Sequence, residues 1–267
     1  MTSQQTIGDA GNQRFYSRTL LLSVFLAFIP ATHARPLHTT SAISRPRVLA
    51  PIVWGCNSIN RGIHLTFDDC PGPHTDDLLD VLKALGTPAT FFVNGNGALS
   101  RPDALRRMVA EGHTVGSHTL SHANLTDLVA TENLAELERQ IVLNEEIIFN
   151  ITGVVPTLFR PPYGAIDRTA REFLGSRGYT VVMWTAGCID WFFHDMVGIE
   201  LPVYINGMAD AGGLICFHDN FDSQDLVDHL SEFVSVMRGN GGAAPRSTIN
   251  PEGRRFISIS ECMADPE

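Results

Sequence analysis

The chain has 267 residues and a net charge of −10, with 44% hydrophobic and 18% charged residues. That length and composition fit one large folded domain, whose core needs neither disulfides nor a metal merely to fold. The acidic balance excludes nucleic acid as a principal partner, because phosphates call for Lys and Arg.

Taken in chain order, Arg14 and Arg18 precede an apolar run over 19–29, and small residues follow up to Ala34. This is the pattern of a secretory signal peptide over 1–34, and the run is shorter than the roughly 20 residues a membrane span needs. The protein is therefore expected to be secreted, to the extracellular space or cell wall. Residues 35–52, rich in Pro, Ser, Thr and Arg, read as an unstructured lead-in to a domain over 53–267. In that domain β-branched or apolar runs predict strands over 63–67, 89–93, 114–117, 157–159, 180–184, 214–217 and 256–260. Helical spacing predicts helices over 76–85, 102–111, 132–150 (closed by Gly153), 167–176 and 224–238, while 193–212 is at most weakly helical. Strands alternating with helices imply a parallel sheet with crossover helices. No Gly-x-Gly-x-x-Gly follows the first strand, so a closed or nearly closed barrel is expected over an open dinucleotide-binding sheet.

Five cysteines leave at least one unpaired within the chain. Cys56 and Cys262 bracket the domain, and a bridge between them would tie its ends in an oxidising compartment, although spacing alone does not fix a pairing. Cys70, Cys188 and Cys216 are expected to be reduced. Asn124-Leu-Thr126 and Asn150-Ile-Thr152 are candidate glycan acceptors.

In parallel barrels, catalytic residues gather at the C-terminal ends of strands. Asp68, Asp69, His118, Arg160, Asp190 and His218 all follow predicted strands and can converge on one mouth. His118 and His122 are four apart, so one helical turn would aim both imidazoles the same way. With Asp69 as a carboxylate they make a nitrogen–oxygen set suited to zinc, leaving a position open for water. His64, His74, His113, His194 and His229 carry no such pattern and read as structural.

Leu65-Thr66-Phe67-Asp68-Asp69, His118-Thr-Leu-Ser-His122, Arg160-Pro-Pro-Tyr163, Asp190-Trp191 and Leu214-Ile-Cys-Phe-His218-Asp219 occur in that order. Together they resemble the five motifs of the polysaccharide deacetylase family, and within it the fungal chitin deacetylases, over roughly 56–262. The resemblance implies a distorted (β/α)7 barrel and one divalent metal ion, zinc before cobalt, held by Asp69, His118 and His122. It implies removal of N-acetyl groups from N-acetylglucosamine units of chitin or chitooligosaccharides. Asp68 would be the general base and His218 the general acid. Arg160 would orient Asp68, the Tyr163 N–H would hold the oxyanion, and Trp191 with Leu214 would receive the acetyl methyl. The expected partner is the polysaccharide itself, with no nucleic acid, no membrane span and a monomeric chain.

Two positions depart from the family pattern. Cys70 stands where a glycine is usual, which would allow a positive-φ turn that cysteine disfavours, and its thiol is a potential stray ligand. Gly187 stands where an Asp usually supports the catalytic histidine, with Asp190 as the partial substitute. That loss predicts an activity optimum shifted toward acid, reversed by Gly187→Asp. The alternatives are a catalytically weakened chitin-binding relative and a deacetylase of peptidoglycan or another acetylated polysaccharide.

Overall fold

The computed structural model describes residues 48–56, 62–187, 213–220, 223–239 and 254–264. The signal peptide, the lead-in up to residue 47, Cys188, Asp190, Trp191, His194 and the segment 193–212 lie outside these residues.

Eight strands form one sheet in the order β1-β6-β5-β4-β3-β2-β8-β7, and every pairing is parallel. They are β1 (Ile52–Val53), β2 (Ile63–Cys70), β3 (Ala89–Val93), β4 (Thr114–Ser117), β5 (Leu158–Phe159), β6 (Thr180–Val182), β7 (Ala186–Gly187) and β8 (Gly213–His218). The helices are α1 (Thr75–Leu85), α2 (Gly95–Ser100), α3 (Pro102–Ala110), α4 (Leu125–Ala130), α5 (Leu134–Thr152), α6 (Arg168–Ser176), α7 (Gln224–Met237) and α8 (Ile259–Met263).

The sheet curls into the distorted parallel barrel expected from the sequence. Thr185 shows how it closes on itself. Its hydroxyl donates to the carbonyl of Trp54, just past β1, at 3.1 Å and accepts from the Leu214 N–H of β8 at 3.2 Å. Thr185 directly precedes β7, so the two ends of the sheet order, β1 and β7, are brought together through this one side chain.

Central parallel strands are covered on both faces, so they read as nearly continuous buried runs. In β2 the two-residue period separates the layers. Ile63, Leu65 and Phe67 pack outward with Leu78, Leu79 and Leu82 of α1 and Phe233 of α7. Phe67 stacks on Phe91 and Phe217 at 5.2 and 5.8 Å. His64, Thr66 and Asp68 alternate with them and carry polar groups into the barrel interior. Burying the three large outward side chains contributes about 1.5–3 kcal/mol each. That interior-polar, exterior-apolar arrangement holds a set of charged groups on a rigid frame.

Four details depart from the expected order. Ile52–Val53 is an edge strand paired with β6 rather than part of a lead-in. The predicted last strand is a single bridge, Phe256 to Ile63, followed by α8. Ser258 and Glu261 form a capping box that starts this helix, a signal the apolar pattern of 256–260 overrode. The short helices α2 and α4 were not anticipated, since six residues carry too little periodicity. Cys56 and Cys262 are disulfide-bonded as expected. Cys216, expected to be reduced, is also disulfide-bonded, to a partner outside the described residues. Spacing could not foresee it: Cys216 lies in register with Gly187 of a neighbouring strand, distant in sequence.

Candidate active site

β2 delivers two adjacent carboxylates. In a regular strand consecutive side chains face opposite ways, so Asp68 and Asp69 could not share one mouth. The register of β2 against β3 slips between Phe67 and Cys70, and Asp69 takes φ +63°. This bulge re-aims the second carboxylate. The positive φ therefore falls on Asp69, one residue before Cys70, where a glycine would have allowed it. Nor is Cys70 a stray ligand: its thiol is fully buried against the carbonyl oxygens of Phe67 and Asp68, and burial raises its pKa.

Asp69 meets His118 and His122, which follow β4. Their Nε2 atoms lie 3.7 and 3.4 Å from Asp69 Oδ1. The two imidazoles do not share a helical turn, as the spacing suggested. They converge through a tight turn in which Thr119 and His122 have φ +66° and +59°. Non-glycine residues in this region cost about 1–3 kcal/mol each; here three of them, with Asp69, surround one point. His118 Nδ1 sits 2.7 Å from the Arg160 carbonyl. A carbonyl only accepts, so Nδ1 carries the proton and Nε2 presents its lone pair to Asp69. Burial lowers the pKa of His118, which favours that neutral form. Asn144 of α5 donates to the carbonyl of Val93 and to Ser117 Oγ, both at 2.9 Å, fixing the strand end just before His118.

Asp69 Oδ1 is buried and accepts no hydrogen bond. An orphaned carboxylate oxygen costs several kcal/mol unless a cation or donor meets it. Two imidazole lone pairs beside it make a cation the fitting partner. A divalent metal ion thus suits Asp69, His118 and His122, whose ligand atoms lie within 4.8 Å of one another.

The second group adjoins the first. Asp68 is opposite His218 in the β2–β8 register, and a carboxylate oxygen, a His218 ring nitrogen and Cys216 Sγ lie within 4.8 Å of one another. The Cys216 sulfur, 3.5 Å from Asp68 Oδ2, is bound in a disulfide. It has no proton to donate and is not a thiolate ligand, so this group is not a second metal site. Arg160 is fully buried and crosses the barrel interior. It donates to Asp68 Oδ1 and Thr66 Oγ1 at 2.7 Å and to the carbonyls of Val182 and Met183 at 3.0 and 2.8 Å. Phe92 stacks beneath the guanidinium at 4.2 Å. Burial lowers the pKa of Arg160 and the Asp68 carboxylate opposes that shift. The cation locks Asp68 in one rotamer.

Tyr163 is 69% exposed, has φ +62°, and meets the His122 ring edge-on at 4.6 Å. Its N–H donates to no described residue. Leu214 was expected in an acetyl slot but is fully buried with Cys56, Phe92 and Val182. It shares a strand face with Cys216 and His218, two steps farther from the mouth, so Cys216 is nearer the site. Trp191 and Asp190 lie outside the described residues. The sequon residues lie apart: Asn150 is on α5, and Asn124 precedes α4, which its Oδ1 caps by accepting from the Thr126 and Asp127 N–H groups.

Gly187 has φ +94°, and a Cβ there would lie 2.2 Å from the Cys216 carbonyl oxygen. Aspartate does not fit this backbone, which overturns the expected rescue by Gly187→Asp. Sequence reading quoted Asp219 in the last motif but gave it no role; it is buried directly after His218, and a carboxylate beyond a strand end resembles any turn residue.

Comparison with known proteins agrees with this geometry. The profile of the polysaccharide deacetylase family matches residues 57–182. A chitin deacetylase of Pestalotiopsis sp is 40% identical over 80% of this chain and 67% of its own length. A peptidoglycan-N-acetylglucosamine deacetylase of Listeria monocytogenes is 35% identical over 60% of this chain, which spans only 33% of that longer protein. The chitin deacetylase of Colletotrichum lindemuthianum is 30% identical over 76% of this chain and 79% of its own. Its solved structure superposes with a TM-score of 0.61, covering 82% of this chain and 93% of that one.

Proposed function

Because the chain belongs to the polysaccharide deacetylase family, we propose that it hydrolyses the N-acetyl groups of chitin or chitooligosaccharides. The observation that carries the reading is the orphaned Asp69 oxygen facing two imidazole nitrogens, next to an Asp68 held by Arg160 and paired with His218.

Asp69, His118 and His122 would hold the metal, zinc before cobalt. When bound, it supplies Lewis acidity that polarises the acetamide carbonyl and makes water a competent nucleophile at neutral pH. Asp68 accepts the proton of the attacking water, and Arg160 keeps that carboxylate aimed at it. The Tyr163 N–H, held by an αL backbone, donates to the developing oxyanion. His218, across the strand ladder from Asp68, gives a proton to the departing amine. The acid and base thus belong to neighbouring strands, and the distance between them is set by the sheet rather than by loops.

Chitin is preferred over peptidoglycan because the fungal relatives match more of this chain than the Listeria protein does. The deciding experiment is acetate release from chitooligosaccharides, acetylated xylan and peptidoglycan side by side, with zinc supplied. The reading expects chitooligosaccharides to be fastest. Faster release from peptidoglycan would replace the substrate, and none from any of them would favour a sugar-binding relative. Export to the extracellular space or cell wall follows from the N-terminal pattern. No described helix is long and apolar enough to cross a membrane.

A further inference from the structure

One buried carboxylate remains without a part in this chemistry. Asp219 follows His218 directly, is fully buried, and has no ion-pair partner among the described residues. Its Oδ2 accepts from the Thr75 hydroxyl and from the Gly72 N–H at 3.3 Å, and its Oδ1 accepts from the Ser223 hydroxyl at 3.3 Å. Its own N–H donates to the Asp68 carbonyl at 2.8 Å. Gly72 lies so close that a Cβ on it would stand 2.2 Å from the Asp219 carbonyl oxygen.

These donors come from three segments: Gly72 in the turn after β2, Thr75 in the first turn of α1, and Ser223 at the entry to α7. An apolar residue would fill the same volume without the cost of dehydrating a carboxylate. What a carboxylate adds is a fixed direction for each donor. The β2–β8 ladder reaches its last pair at Asp68 and His218, and β2 then kinks at Asp69. Past the bulge β2 pairs only with β3, Cys70 opposite Val93, and the Pro71–Gly72 turn that follows lies outside both ladders.

We propose that Asp219 is a positioning residue, a clip that grips the turn after β2 and so holds Asp68 and Asp69 in register with His218. A displacement of about 1 Å at reacting groups can cost about a hundredfold in rate, so a clip of this kind acts on rate and on metal affinity together.

The inference rests on the deacetylase reading only for its rate measurement. The test uses the full chain, with Asp219→Asn, Thr75→Val and Thr75→Ser variants. Three quantities are read: kcat and KM on a soluble chitooligosaccharide, zinc affinity by competition with a chelating dye, and the visible spectrum of the cobalt-substituted protein. Asp219→Asn should lower kcat and weaken zinc by about 10–100-fold, the range for groups that orient metal ligands, with KM little changed and the cobalt bands displaced. Thr75→Val should move the same quantities in the same direction, and Thr75→Ser, which keeps the hydroxyl, should restore them. Folded Asp219→Asn and Thr75→Val proteins with wild-type kcat, zinc affinity and cobalt spectrum would overturn the clip, even if both melt earlier. If Asp219→Asn does not fold, the two Thr75 variants decide alone. A wild type that releases no acetate would sink the deacetylase reading, while zinc affinity and the cobalt spectrum would still judge the clip.

Discussion

Asp68 and Asp69 are neighbours with different surroundings, and the difference separates their roles. Asp68 is gripped by a buried guanidinium, whereas Asp69 offers an unpartnered oxygen to two imidazoles. Asp68→Asn should therefore cut kcat by about 10²–10⁴-fold, the usual worth of a general base, and leave zinc affinity unchanged. Asp69→Asn should abolish zinc binding. Equilibrium dialysis against zinc, run beside the rate assay, distinguishes them; loss of zinc in the Asp68 variant would reverse the assignment. At Gly187 the outcome expected from sequence is inverted. A side chain at φ +94° against the Cys216 carbonyl costs at least about 1–3 kcal/mol. Gly187→Asp should melt earlier than wild type and show no gain on the alkaline limb of its pH–rate profile.

Among the elements, β2 does most to bring the site together, and its interior face is polar along its length. His64 on that face is bonded at both nitrogens, to the Ile257 carbonyl at 2.7 Å and to Thr90 Oγ1 at 2.8 Å. It joins β2 to β3 and to the C-terminal segment, so the structural reading of this histidine stands. Burial lowers its pKa to about 4. Between about pH 6.5 and 4 the unfolded chain binds a proton that the folded one refuses, so stability falls as pH drops through that window. The loss from this group is roughly 3 kcal/mol. Burial also lowers the pKa of His113, which acts in the same direction. Denaturant titrations at several pH values should show the decline, with a shallower slope in His64→Gln; an unchanged slope would assign the effect elsewhere. Elements of this kind were legible where period and caps agreed, as for β3, β4 and the Gly153 end of α5. Its αL cap at φ +75° is where a glycine was expected to close the helix.

At the scale of the molecule, metal and disulfide act on the same balance by different routes. A ligand that binds only the folded state stabilises it by mass action. At a hundred times its dissociation constant, zinc should raise the unfolding free energy by about 2.7 kcal/mol. Thermal melts with zinc and with a chelator read this directly; identical melting temperatures would argue against the ligand set. The Cys56–Cys262 bridge closes a loop of 206 residues. Replacing both cysteines by serine should cost about 5 kcal/mol through the entropy of the unfolded chain, with zinc affinity retained because neither sulfur touches the ligands.

The sequence by itself determined the alternation of strand and helix, the parallel barrel, and the identity of the chemical groups at the strand ends. Those features follow from local periodicity and residue type, which are written along the chain. Only the tertiary structure decided which groups face one another. The αL kink at Asp69, the turn that joins His118 to His122, the disulfide at Cys216 and the packing that requires glycine at 187 all depend on neighbours distant in sequence. The buried Asp219 network draws together donors from three separate segments. Such contacts arise from closing the sheet, where backbone approach and desolvation set the geometry, and no short window of residues contains that information.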